Sequence, residues 1–414
     1  MSESKGSRNY DVIVWGATGF TGRLVAEYMY NTYGVGGEVS WAVAGRNATK
    51  LAEVCRDITP GSADDSGIPT VVADSHDEVS LREMVRSTAV VCTTVGPYAM
   101  YGSELVRLCA EEGTHYCDLT GEVHWMRRMI EQYHGVAEAS GARIVHSCGF
   151  DSIPSDLGTW FVQDAMHARH GVFATRVKYR VVRAEGGASG GTVASMMNMM
   201  EEARDDPSIL ELLDDPYALN PPNMPRGDDV ADQTTAEYDL DFRQWTAPFV
   251  MAAINTRVVR RSHALLGYPW GPHFRYDEAT LTGDGPGGFA KASMVAGGTS
   301  LLTAATRVGP LRNLLGRVAP SPGEGPSPET IRNGFFEIDL HASHPEDPEK
   351  NLVARVTGDR DPGYGATSKM LAESAVCLAK DGLDSPAGVL TPAVAMGGKL
   401  VERLIARAGM TFTV

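Results

Sequence analysis

The feature that most constrains this chain is the stretch "YDVIVWGATGFTGRLVAEYM", Tyr10 to Met29. A short apolar strand runs into Gly16, Gly19 and Gly22, and then into a helix that puts Leu24, Val25, Tyr28 and Met29 on one face. Glycines at such a turn make it tight, let a ligand approach bare backbone and let helix and strand pack closely. The helix N-terminus that follows presents unpaired N–H groups and a positive dipole end, which favours a pyrophosphate. The spacing is GxxGxxG rather than GxGxxG. Its position after a first strand and before an amphipathic helix supports dinucleotide binding over a turn that serves packing alone.

The rhythm continues to about Pro154. Apolar runs "VSWAVAG", "PTVVAD", "AVVCTTV", "HYCDL" and "ARIVHS" alternate with helical segments such as "ATKLAEVCRDI" and "SELVRLCAEEG". The runs are apolar throughout, as strands covered on both faces are. The expected fold class is α/β: a doubly wound Rossmann domain, residues 1–154, with right-handed crossovers. Beyond it the pattern changes to a second α/β domain with a mixed sheet, residues 155–384, for substrate and dimerisation. Residues 385–414 are expected to pack back on the first domain. "SDLGTWFVQDAMHARHG" reads as a helix, "TRVKYRVV" as a half-exposed strand suited to pairing across a homodimer, and "GFFEIDLHAS" with "NLVARVTGD" as a strand pair. The Asp- and Pro-rich stretch 204–245 reads as a surface excursion or lid.

Within this frame the candidate residues fall at the carboxyl ends of the strands. Gly16, Ala17, Thr18, Gly19, Phe20 and Gly22 form the nucleotide turn. Arg46, in "AVAGRN", takes the place where an acid would meet the ribose hydroxyls of NAD; an arginine there pairs with a 2′-phosphate and favours NADP. Asp74 is a candidate for the adenine edge or a helix N-cap. Gly96, in "CTTVGPYAMYG", turns the chain after the fourth strand, and Tyr98 and Tyr101 either face the nicotinamide or pack as rings. Asp118 and Glu122 are acid/base candidates, with capping by Asp118 or Thr120 as the alternative. His146, Asp151 and Ser152 follow the sixth strand, with Ser155 or Asp156 expected to cap the next helix. "GASGG", 187–191, matches the nucleophile-elbow pattern but is read as a loop that lets substrate approach the backbone.

The net charge of −15 excludes general nucleic-acid binding. The six cysteines show no CxxC pair or metal spacing, and no metal site is expected. The N-terminus lacks an apolar signal segment and no run approaches a membrane span, so a cytoplasmic protein is expected. Between Asn255 and Gly323 there are eight Lys/Arg and three acids, and 288–318 is apolar and basic without a carboxylate. Such an arm either meets an acidic carrier protein, lies peripherally on the inner membrane face, or is an ordinary solvated helix.

Taken together, "GATGFTGRL", "AGRN", "VGPY", "YCDLTGE", "GFDSIPSDLG", "GASGGTVAS", "GDRDPGYGATSKMLAESA" and "GGKLVERLIARAGMTFTV" resemble the saccharopine dehydrogenase-like oxidoreductases, and more narrowly the mycobacterial trans-acting enoyl reductases. The resemblance implies NADPH-dependent saturation of a double bond in a polyketide or fatty acyl thioester, held on an acyl carrier protein or polyketide synthase, in cell-envelope lipid biosynthesis. It transfers only the nucleotide residues. Tyr98 is the first expected hydroxyl for the developing oxyanion, and Asp151 with Ser152 the second. The Met-rich "SMMNMM" suits an acyl chain better than the polar substrate of saccharopine enzymes. The alternatives are a saccharopine-type dehydrogenase of a soluble amino or imino acid, and a nucleotide-binding scaffold at a lipid surface without catalysis.

Overall fold

The computed structural model describes residues 8–59, 67–187, 190–307 and 325–414, and the chain divides into two compact units. The first comprises residues 1–120, 128–150 and 364–408; the second comprises 121–127, 151–363 and 409–414.

The first unit is built on a seven-stranded, all-parallel sheet. Its strands are β1 (Tyr10–Trp15), β2 (Trp41–Gly45), β3 (Thr70–Val72), β4 (Thr88–Thr93), β5 (His115–Cys117), β6 (Arg143–Val145) and β13 (Gly388–Leu390). The order β13-β6-β5-β4-β1-β2-β3 is that of a doubly wound nucleotide-binding sheet, with one strand added at the β6 edge. Val12, Ile13 and Val14 are fully buried and β2 is buried along its whole length, which is why these runs carry no polar alternation. Helices α1 (Phe20–Tyr33), α2 (Ala48–Ile58), α3 (Glu78–Ser87), α4 (Tyr98–Tyr101) and α5 (Ser103–Glu112) supply the connections.

The second unit holds a mixed seven-stranded sheet in the order β14-β12-β11-β7-β10-β9-β8. Its strands are β7 (Arg176–Glu185), β8 (Glu237–Asp239), β9 (Gln244–Pro248), β10 (Arg275–Gly283), β11 (Phe335–Ser343), β12 (Leu352–Gly358) and β14 (Met410–Thr413). β7 and β10 are parallel and the remaining pairs antiparallel. α6 (Val123–Ser140) begins in this unit and continues in the first; α7 (Ile153–His170), α8 (Gly190–Asp205), α9 (Ser208–Asp214), α10 (Ala252–Leu265) and α11 (Gly285–Arg307) belong to the second. Gly158 lets α7 sit directly on β11 and β12, since a Cβ there would come 3.2 Å from Leu340 and 3.3 Å from Val356.

Four expectations need correction. β7 lies inside its sheet, hydrogen-bonded to β10 on one side and β11 on the other, so it has no free edge to pair across a dimer. Helix Thr367–Lys380 belongs to the first unit rather than the second. It meets α1 through Glu373, whose carboxylate accepts the hydroxyls of Tyr28 at 2.8 Å and Tyr33 at 2.7 Å. The C-terminal tail is divided: residues 385–408 join the first unit, whereas β14 pairs with β12 in the second.

The fourth correction concerns charge. Arg257, Arg260 and Arg261 on α10 are buried rather than displayed on a basic surface. They hold the 204–245 excursion: Arg257 pairs with Asp232, Arg260 with Asp229, and their guanidinium groups, with that of Arg261, donate to the carbonyls of Leu213, Pro216 and Leu219. The excursion is anchored because a buried guanidinium needs acceptors on every side. Of the basic residues in 288–318, Lys291 is exposed on α11, beside exposed Phe289, Met294, Val295 and Leu301; Arg312 and Arg317 lie outside the described residues.

Candidate functional site

In the first unit the glycine turn forms a cradle. Gly16 has φ +91°, the left-handed side of the map that favours glycine, and its N–H donates to Ala44 O at 3.0 Å. A Cβ on Gly16 would stand 2.6 Å from Val95, and one on Gly22 would stand 2.2 Å from Gly16 O. Strand, turn and helix therefore approach as closely as the expected motif requires. Ala17 is buried, Thr18 and Gly19 are exposed at the lip, and Phe20 sits edge-on to Tyr364 with centroids 5.3 Å apart. No side chain caps α1 at Gly19, which leaves the first-turn N–H groups available to an anion.

Arg46 stands exposed at the end of β2 with no ion pair or hydrogen bond among the described residues. The adjoining Asn47 caps α2 by accepting from Lys50 N at 3.0 Å. A free guanidinium beside an uncapped, glycine-lined helix start fits a dinucleotide with an added phosphate. Asp74 is not the cap of α3; Asp77 is, accepting from Val79 N at 3.2 Å. The Asp74 carboxylate instead closes a turn onto His76 N at 2.9 Å. Gly96 is exposed at the turn before α4.

Tyr98 is buried, and its hydroxyl donates to Thr93 O at 3.3 Å and accepts from Leu119 N at 3.5 Å. Tyr101 meets His76 edge-on at 6.0 Å. Asp118 is fully buried and caps no helix. It accepts from the Tyr116 hydroxyl at 2.8 Å, Ser147 N at 3.0 Å and Thr120 N at 3.1 Å, and lies 2.7 Å from His146 Nδ1. This carboxylate organises the loops after β5 and β6, because several donors converging on one buried anion offset its desolvation.

The second unit carries a separate group of buried acids. Asp151 precedes α7; its Oδ1 is shut from solvent and meets no partner among the described residues, and burial pushes its carboxyl up to about 7. Ser152 is fully buried and its hydroxyl likewise lacks a partner there. Ser155 and Asp156 do not cap α7, whose N-cap is Ser152; both lie in its first turn, buried, with Asp156 accepting from the Ser262 hydroxyl. Glu122 accepts from Ser195 Oγ at 2.9 Å. Ser189 of "GASGG" lies outside the described residues.

Glu278 was not singled out by the sequence. It accepts from the Tyr276 hydroxyl at 2.7 Å and from Asn255 Nδ2 at 3.0 Å. Burial raises its carboxyl to about 7, against the pull of those hydrogen bonds. Tyr179, its register partner on β7, is fully buried, and burial and the nearby carboxyls of Glu278 and Asp151 hold its phenol well above its ordinary range. The sequence signal was slight: one acid two residues beyond a tyrosine in "RYDEATLTG", with its neighbours supplied by distant segments.

Comparisons with known proteins agree with this geometry. Residues 12–145 match the saccharopine dehydrogenase NADP binding domain. A Mycobacterium tuberculosis (strain H37Rv) protein, provisionally named a trans-acting enoyl reductase, is 40% identical over 417 residues, covering 96% of each chain. The trans-acting enoyl reductase of Mycobacterium leprae (strain TN) is 35% identical, over 98% of this chain and 97% of its own. The solved structure of apo saccharopine dehydrogenase (L-Glu forming) from Saccharomyces cerevisiae shares the fold at TM-score 0.51 and 14% identity, covering 98% of this chain and 100% of its own. Among the described residues no helix is long and apolar enough to cross a membrane, and no three His, Cys, Asp or Glu side chains are grouped to hold a metal ion. The chain thus belongs to the trans-acting enoyl reductase family, as an NADP-dependent oxidoreductase whose nucleotide-binding domain is of the saccharopine dehydrogenase type.

Proposed function

We propose that this protein reduces the double bond of an α,β-unsaturated acyl thioester, with NADPH as reductant and the acyl chain presented on a carrier of a polyketide synthase that builds envelope lipids. The observation that carries this reading is the full-length similarity to trans-acting enoyl reductases, joined to the glycine cradle and free Arg46. Bound there, NADPH supplies the hydride. Gly16, Ala17, Thr18, Gly19, Phe20, Gly22 and Gly96 would surround the pyrophosphate, Arg46 the 2′-phosphate and Asp74 the adenine side.

Asp151 is assigned the proton for the α-carbon, since a carboxyl raised to about 7 still carries a proton near neutrality. Ser152, with a buried hydroxyl that has no partner among the described residues, is assigned the thioester oxygen as negative charge develops. Tyr98 serves that oxygen only by giving up its bond to Thr93 O, which makes it the second donor. The half-buried Met197, Met199 and Met200 of α8 suit a flexible acyl chain. The carrier is assigned to α11, where Lys291 stands among exposed apolar side chains beside a 450 Å³ groove lined by Val182, Leu281, Met294 and Val295.

Incubating the purified protein with NADPH and crotonyl, longer enoyl and carrier-bound thioesters tests the reading. Oxidation of NADPH with a saturated acyl product is expected. Tight NADPH binding without oxidation by any thioester would overturn it. Lys291→Glu is expected to raise KM for the carrier-bound substrate alone; retention on anionic vesicles with an unchanged KM would instead assign α11 to a lipid surface.

A further inference from the structure

The two halves of the first sheet are built differently. In a doubly wound sheet each half takes one mononucleotide at the carboxyl ends of its strands. The glycine turn and Arg46 belong to the β1-β2-β3 half, so the nicotinamide nucleotide falls to β4, β5 and β6. There one fully buried carboxylate, Asp118, ties the loops together. A carboxylate offers about four acceptor positions, and Asp118 fills them. Its Oδ1 accepts from Ser147 N at 3.0 Å and Thr120 N at 3.1 Å, and its Oδ2 from the Tyr116 hydroxyl at 2.8 Å and His146 Nδ1 at 2.7 Å. Because that oxygen only accepts, the imidazole carries its proton on Nδ1. Ser147 is held against its backbone preference: it is fully buried with φ +61°, a left-handed conformation uncommon outside glycine. Its N–H goes to Asp118 and its hydroxyl donates to Thr120 O at 2.7 Å. Such strain persists only where the surroundings over-determine it, and it gathers at sites that bind or react. The adjoining Leu119 N donates to the Tyr98 hydroxyl at 3.5 Å, which donates in turn to Thr93 O at the end of β4. One hydrogen-bonded network therefore links the loops after β4, β5 and β6.

We propose that Asp118, acting through His146 and Ser147, is the positioning residue that sets the nicotinamide half of NADPH for hydride transfer. It touches neither substrate nor the reacting atoms; it fixes the loops on which that nucleotide rests. The inference depends on the enoyl reductase reading only for the acceptor used in its assay, since the cofactor follows from the NADP-binding domain. The network also dictates how Asp118→Asn behaves. An amide keeps one accepting oxygen and replaces the other with a donor. The N–H groups of Ser147 and Thr120 cannot become acceptors, so the amide oxygen stays with them. The amide nitrogen then turns to Tyr116 and His146, both of which can accept. The fold survives, while the His146 proton moves from Nδ1 to Nε2 and the hold on its loop changes.

The test uses Asp118→Asn and Ser147→Gly in the full chain. Calorimetry with 2′,5′-ADP, which carries the adenine half alone, and with NADPH separates the two halves. D118N is expected to bind 2′,5′-ADP within about twofold of wild type and NADPH about tenfold more weakly. At saturating NADPH its single-turnover oxidation by crotonyl-CoA should slow about tenfold or more. Nitrogen-15 spectra should show one histidine ring moving its proton from Nδ1 to Nε2. S147G relaxes the left-handed backbone as it removes the hydroxyl bond, so it should keep the wild-type melting temperature and show the same split between the two ligands. Equal loss of affinity for 2′,5′-ADP and NADPH in both variants, with a fall in melting temperature, would make the network a structural brace and overturn the proposal. Unchanged NADPH affinity and rate in either variant would overturn it as well. If the wild-type protein oxidises no NADPH with any enoyl thioester while the affinities split as expected, the positioning role stands and the enoyl reading of the substrate fails.

Discussion

Arg46 and Glu278 illustrate how single side chains act through what surrounds them. Arg46 has no internal partner, so replacing it removes a ligand contact and little else. Arg46→Ala is expected to weaken NADPH binding about ten- to a hundredfold, the worth of one charge-assisted contact, while leaving NADH affinity nearly unchanged. Calorimetric titration with both nucleotides checks this. Gly22→Ala pushes a methyl to 2.2 Å from a backbone oxygen, so both nucleotide affinity and the melting temperature of the first unit should fall. Glu278 predicts a pH effect. Its folded-state value of about 7 exceeds the ordinary 4.5, so the native state holds a proton that the unfolded chain releases. Its contribution is full below pH 4.5 and is lost as pH rises through about 7, by roughly 3 kcal/mol in all. E278Q should lack this slope, and urea unfolding across pH 4 to 8 compares the two.

At the scale of elements, the second sheet depends on ion pairs as well as apolar packing. Asp239, at the end of β8, is buried, yet Arg180 and Lys178 overcome the cost of that burial and hold its carboxyl down to about 2. Asp239→Ala leaves two buried cations short of an anion and should destabilise this unit by roughly 3 kcal/mol or more. In the wild type the Asp239 contribution is present above about pH 4 and lost as pH falls toward 2, because its folded value lies below the ordinary one. Thermal unfolding of D239A and wild type over that range measures both effects. The strands of this sheet were legible in "GFFEIDLHAS" and "NLVARVTGD", where alternation marks a face. Their order was not, because β7 pairs with β11 across some 150 residues of chain and no local signal encodes that partner. The arginines of α10 misled for a related reason: composition counts charges, whereas only the fold shows that they face inward onto Asp229 and Asp232.

For the whole molecule, the first unit was the more readable. Its strands run in sequence with their crossovers, so the glycine turn, Arg46 and the sheet followed from local pattern alone. The part that escaped was its completion by β13 and by helix Thr367–Lys380, which return from the far end of the chain. In the second unit Asp151 was singled out by its place after the sixth strand, whereas Tyr179, Asn255 and Glu278 escaped for the same reason: they are ordinary residues until three distant segments meet. The central claim is hydride transfer from NADPH to an enoyl chain, and deuterium transfer tests it most directly. NADPH carrying deuterium at the transferable position of its nicotinamide, incubated with the protein and an enoyl thioester, should give a saturated acyl chain with one deuterium on its β-carbon. Deuterium left on the cofactor, or found only on the carbon of an imino acid offered in competition, would contradict it.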